Sequence, residues 1–197
     1  GYTVTETTVN GGPSATVTVG STVSVGVTAH TTADWKSVLY KFATSTPSAA
    51  SMTCIDIINQ PAGTTTLTFP LISTPVAPTT YNLYVYADFQ DNCSGVSEPV
   101  DLSTLPNALT VQTTPQTIDW TTISSLSKVY GDASVVVSAT STSGLPVTFT
   151  TSASADVCTV VGNTVTFTGA GSCPVSANQA GNGIYGAAPT VTQTFTI

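Results

Sequence analysis

The sequence predicts an all-β chain folded as two tandem sandwich domains, and three observations carry that prediction. β-Branched residues are over-used, short bursts of apolar and polar alternation recur along the chain, and Gly, Pro, Asn and Ser punctuate the bursts. Thr and Val alone make up about a third of the 197 residues. Both carry two heavy atoms on Cβ, which restricts χ1 and suits a pleated, half-buried surface better than a helix. At about 100 residues per sandwich the length fits two units, each with its own small core.

The bursts give the elements in order. Ala15–Val19 alternates and is followed, after Gly20 and Ser21, by Thr22–Ala29, which together read as two strands or one bent strand. Val38–Phe42, Thr66–Phe69, Tyr81–Ala87 and Ala108–Val111 each offer one inward face. With turn signals at sandwich spacing, about seven strands are expected in this half. The polar run Gln112–Thr117 holds Pro115 and interrupts the alternation, so domains are expected at 1–112 and 118–197 with 113–117 as an extended linker. Beyond it, Val135–Ala139, Val147–Thr150, Val157–Val160, Thr164–Thr168, Cys173–Ala177 and Val191–Ile197 repeat the style, with a hairpin signal at Gly162–Asn163. No segment sustains a 3.6-residue apolar period, so no long helix is expected.

Charge narrows the function classes. Only 7% of residues are charged, so Thr, Ser, Asn and Gln must make the surface polar. Ten acids stand against three lysines, there is no Arg, and the net charge is −7. Nucleic acid and anionic membranes, which are bound largely through Arg and Lys, are therefore excluded as partners. No apolar run long enough for direct membrane insertion is present. The sequence starts at Gly1 without an initiator Met or secretory signal, which reads as a mature chain or a fragment.

The even cysteine count, Cys54, Cys93, Cys158 and Cys173, reads as disulfides made in an oxidising compartment. A zinc site fits poorly, because no close Cys-x2-4-Cys pair occurs and His30 is the only histidine. The strand layout favours Cys54 with Cys93 and Cys158 with Cys173, one staple per domain, worth roughly 4 and 3 kcal/mol on a chain-entropy model. Four cysteines allow three connectivities, so cross-domain pairing stays open.

Candidate sites are few. His30, Asp34 and Ser37 include the residue types of a hydrolytic triad but lack a nucleophile elbow, and a loop histidine is the simpler reading. No catalytic residue is assigned and no enzyme is expected. Asp56, Asp88 and Asp91 lie near the expected Cys54–Cys93 staple, and calcium is the ion such an oxygen-rich loop would hold, although the Asp-x-Asp-x-Asp-Gly order is missing. Otherwise no cofactor is expected. Trp35, Tyr84 and Tyr86 form the candidate binding surface, since Tyr84 and Tyr86 alternate with Leu83 and Val85 and are expected on the outer face, where aromatic rings stack on sugars.

Val129–Asp132, Ser143–Phe149, Val157–Cys158, Gly162–Cys173, Asn178–Asn182 and Tyr185 follow an order that resembles the bacterial immunoglobulin-like domains repeated in large secreted adhesins and surface proteins. Trp35 with Tyr40, the Pro78–Val85 approach and Asp91–Gly95 are more loosely similar to other extracellular immunoglobulin or fibronectin-type modules. The resemblance implies two tandem immunoglobulin-like β-sandwich domains on an extracellular bacterial surface. The expected role is a structural or adhesive module of a cell-surface protein or extracellular fibre. Its partners would be neighbouring copies or adjacent immunoglobulin-like domains, joined through the terminal strands Tyr2–Thr5 and Thr190–Ile197 if the protein self-associates, or a glycan or host-surface ligand. The alternative is a carbohydrate-binding accessory module of a secreted protein.

Overall fold

Alternating sequences bury one face only when two sheets meet, and that requirement organises the structure. A computed structural model of the chain describes residues 2–88 and 101–197. It is nearly all β and divides into two compact units, Gly1–Thr113 and Thr114–Ile197. The helical content among the described residues is one 3-10 turn, Ala49–Ser51. None of the described helices is long and apolar enough to cross a membrane.

The first unit contains β1 (Tyr2–Val9), β2 (Ala15–Thr18), β3 (Thr22–Thr31), β4 (Trp35–Ala43), β5 (Thr53–Gln60), β6 (Gly63–Ser73), β7 (Thr80–Asp88) and β8 (Ser103–Gln112). They form a three-stranded sheet, β1-β3-β6, and a five-stranded sheet, β2-β8-β7-β4-β5. All pairings are antiparallel except β2 with β8, which is parallel with Ala15 opposite Leu109 and Val17 opposite Val111. Both sheets contribute to one core. β3 sends Val23, Val25, Val27 and Ala29 inward, and Val38, Leu83, Val85, Leu109 and Val111 meet them from the other sheet around the fully buried Trp35. Burial of each such side chain contributes about 1.5–3 kcal/mol. The stretch 15–29 is thus two strands in different sheets rather than one bent strand.

Turn chemistry sends the chain between sheets. Asn10 and Gly11 both have positive φ, 51° and 77°, and Val9 and Gly12 exchange backbone hydrogen bonds of 2.8 and 3.1 Å across them. This is the Asn-Gly geometry of a two-residue hairpin. Here it ends β1, so that β2 crosses to the other sheet. At the far side of the core Tyr81 donates its hydroxyl to the carbonyl of Ala77 at 2.7 Å, fixing the entry into β7.

The second unit is built from β9 (Ile118–Asp119), β10 (Val135–Val136), β11 (Thr140–Ser141), β12 (Thr148–Thr151), β13 (Cys158–Val161), β14 (Thr164–Phe167), β15 (Ser172–Asn178) and β16 (Val191–Thr196). The sheets are β10-β14-β13, β11-β9 and β12-β15-β16. Gly162 and Asn163 form the expected hairpin turn, with Val161 opposite Thr164. Cys158 bonds Cys173 across a separation of 15 residues, joining β13 of one sheet to β15 of another. Both cysteines are buried among Trp120, Val165, Val175 and Phe195.

The stretch expected as linker belongs largely to this unit. Thr114 bridges Tyr185, and Gln116 is only 3% exposed. The Gln116 amide donates to the Gly186 carbonyl at 2.6 Å and its oxygen accepts from the Ser143 hydroxyl at 2.5 Å. A polar side chain can be buried when both ends are satisfied, and here both are.

Two stability changes follow. Tyr81→Phe removes the bond to Ala77 and is expected to cost about 1 kcal/mol, lowering the urea midpoint of the first unit alone. Replacing Cys158 and Cys173 together by Ser is expected to cost about 3 kcal/mol, read as a fall in the melting transition of the second unit with the first unmoved.

Candidate functional site

The outer face of the five-stranded sheet holds most of the residues singled out by sequence. β4 presents Ser37, Leu39 and Lys41 outward, opposite Asp88, Tyr86 and Tyr84 of β7 and, for Ser37 and Leu39, opposite Asp56 and Cys54 of β5. Alternation does put Tyr84 and Tyr86 on the face away from the main core. They are nevertheless 4% and 5% exposed. Ala49 and Met52, from the segment between β4 and β5, close over them with Leu39, and Leu102 packs at the side. This second small core replaces the expected aromatic platform. Trp35 is fully buried in the main core, so the three rings do not form a shared surface. The reversal comes at the register irregularity between Trp35 and Ser37, where Trp35 turns into the sandwich while Ser37 stays on the Leu39 side.

The acidic residues are spread across this sheet. Asp56 and Asp88 flank Ser37 in one cross-strand row, Asp56 exposed and Asp88 buried. Asp91 and Cys93 lie outside the described residues, and with them the expected calcium loop and Cys54–Cys93 pairing. Cys54 itself is disulfide-bonded. Among the described residues no group of three or more His, Cys, Asp or Glu is placed to hold a metal ion.

His30 lies on strand β3 rather than in a loop. It is exposed, and its Nδ1 is 3.0 Å from the hydroxyl of Thr64 on β6. Asp34 accepts from the Asn59 amide at 2.9 Å, and Ser37 is fully buried with no hydrogen-bond partner for its hydroxyl among the described residues. The three residue types of a hydrolytic triad are therefore not brought together. Around the same β3–β4 connection, Tyr2 donates to the Asp34 carbonyl at 3.2 Å. Burial, and then the nearby carboxylates of Asp88 and Asp34, hold the Tyr2 phenol above its usual range, so it remains a donor.

Two surface clefts accompany these features. One, of about 440 Å³, lies beside Val147, Phe149 and the Gly162–Asn163 turn and is lined by no titratable side chain. The other, of about 240 Å³, is lined by Tyr40, Phe42, Lys41 and Pro75 among others. Among the described residues Lys41 is its one charged group, and the lining holds no carboxylate. No protein-family model matches the chain, and no curated protein matches it.

Burial of the tyrosines makes a specific expectation. Tyr86→Ala should destabilise the first unit by about 3–5 kcal/mol, measured by urea unfolding, as expected for truncating a packed ring. An exposed stacking platform would tolerate the same change with a negligible shift.

Proposed function

We propose that the chain is a structural or adhesive module of a bacterial cell-surface protein or extracellular fibre, made of two tandem immunoglobulin-like sandwiches. The observation that carries this reading is the strand order. In the first unit the sheets β1-β3-β6 and β2-β8-β7-β4-β5 support it, since an opening strand divided between two mainly antiparallel sheets is what an immunoglobulin-like sandwich would give. The Tyr81 hydroxyl bonded back to Ala77, at the start of β7, corresponds to the tyrosine corner of that fold, and Trp35 at the start of β4 fills the place of its buried tryptophan.

The second unit supports the same assignment. β13, β14 and β10 form one side, β12, β15 and β16 the other, and the Cys158–Cys173 bond ties them together. Such sandwiches host many functions, so the role is argued from the sites rather than from the fold. The paired cysteines fit an oxidising location, the hydroxyl-rich surface with few charged residues fits life outside the cell, and the neighbours of such a module are further immunoglobulin-like domains. The carbohydrate-binding alternative loses its platform with the burial of Trp35, Tyr84 and Tyr86.

Location on intact cells tests this reading. Antibody raised against the purified chain should label unpermeabilised cells of the producing bacterium, and brief external protease should remove the label. Labelling only after permeabilisation, with cysteines recovered as free thiols, would refute it.

A further inference from the structure

A sheet edge presents unpaired N–H and C=O groups, and soluble proteins blunt such edges with charges, bulges, proline or short strands. Most edges here are blunted in those ways. β1 carries Glu6 and a bulge between Val4 and Glu6. β5 carries Asp56 and an irregular register opposite Trp35 and Ser37. β2, β12 and β13 have four residues each, and β9, β10 and β11 two. β16 is flanked by the 121–128 segment: Thr196 N–H donates to Leu126 at 2.9 Å, Lys128 N–H donates to Thr196 at 2.8 Å, and the Gln193 side chain bonds Ile123 and Thr121. Of the terminal strands expected to join copies, β16 is thus flanked within its own unit, and β1 is an edge that carries Glu6 and a bulge.

β6 is the least blunted edge, since its proline and bulge lie only at its C-terminal end and leave Gly63–Phe69 regular. It is 11 residues long, carries no charged side chain and, among the described residues, pairs only with β3. Its regular part, Gly63–Phe69, is Gly-Thr-Thr-Thr-Leu-Thr-Phe, a neutral segment of high β-propensity on a chain of net charge −7. The pairing then breaks at a bulge where Pro70 and Leu71 stand opposite Ser24. Leu71 is 77% exposed and holds a φ of +59°, a conformation L side chains rarely adopt, so a bulky apolar group is displayed beside the open edge.

We infer that β6 is a self-association edge, along which a second copy of this chain pairs antiparallel through its own β6 and joins the two three-stranded sheets into one. Self-pairing suits this edge because the strand carries no charged side chain, so two copies can pair along it without setting acid against acid. A two-fold axis at Thr66, the middle of Gly63–Phe69, sets the register. Thr64 then lies opposite Thr68 of the second copy, a Thr–Thr pair of the kind that stabilises antiparallel strands, and Thr65 lies opposite Leu67. The two-fold also brings the Leu71 end of one strand toward the Pro61–Ala62 end of the other, all three residues being exposed. The inference uses only the open edge and does not depend on cellular location.

Sedimentation of the purified chain, at concentrations up to about 1 mM, tests it with three variants. Wild type should associate to a dimer. Thr66→Lys sets two cations opposite each other and should weaken the dimer at least about tenfold. Leu71→Asn keeps a residue that tolerates positive φ while removing the apolar contact, and should weaken it without lowering the urea midpoint of the first unit. Thr66→Cys should give a disulfide-linked dimer under mild oxidation, because opposed residues of an antiparallel pair have Cα atoms about 4.5–5.5 Å apart, within disulfide range. A wild-type monomer throughout the range with Thr66→Cys unlinked, or a dimer indifferent to both Thr66→Lys and Leu71→Asn, would overturn the inference. Either result leaves the cell-surface reading standing.

Discussion

The fold rests on how each unit closes its sandwich with a first strand divided between two sheets. In the first unit β1 pairs antiparallel with β3, and after the Asn10–Gly11 turn β2 pairs parallel with β8. In the second unit β9 pairs with β11, and the chain then runs beside β16, where Ser127 makes a parallel bridge to Thr196. The division matters because the last strand of a sandwich would otherwise leave a full ladder of amides and carbonyls open, a costly arrangement next to an apolar core. Val17 opposite Val111, and the Val19 N–H bonded to the Gln112 carbonyl at 2.9 Å, close that gap in the first unit. The core of the first unit can then be mainly aliphatic, with Val its commonest residue.

A second theme is polarity without charge. Thr and Ser hydroxyls on the outer faces pair across strands: Thr28 with Thr66 at 2.8 Å, Thr80 with Thr110 at 3.1 Å, and Ser176 with Thr192 at 2.9 Å. Such ladders satisfy the surface and support register. They provide little of the electrostatic repulsion that usually keeps edges apart. The few acids protect particular edges, Glu6 on β1 and Asp56 on β5, and β6 is left bare.

How much of this was legible in the sequence depended on whether the determining contacts were local. β3, β7 and β15 follow from alternation alone, and the β13–β14 hairpin follows from Gly162–Asn163. β5 escaped the alternation reading because Asp56, Asn59 and Gln60 dilute the signal of Ile55 and Ile57, and β1 was read only as far as Thr5 because Glu6 and Thr7 interrupt its pattern. For Tyr84 and Tyr86 the alternation identified the face correctly. It held no information on what covers that face, because Ala49, Met52 and Leu102 arrive from other parts of the chain. Gln116 looked like linker for the same reason, since its burial depends on Ser143 and Gly186. His30 sits in a strand because Thr22–Thr31 continues past the last inward alanine.

Hydrogen exchange followed by mass spectrometry under graded urea tests the divided-strand account most directly. Residues 15–19 should be protected together with β8 and lose protection in the same cooperative step as β1 and β3, while the second unit opens in a step of its own. Fast, loop-like exchange of residues 15–19 while β8 stays protected would contradict it.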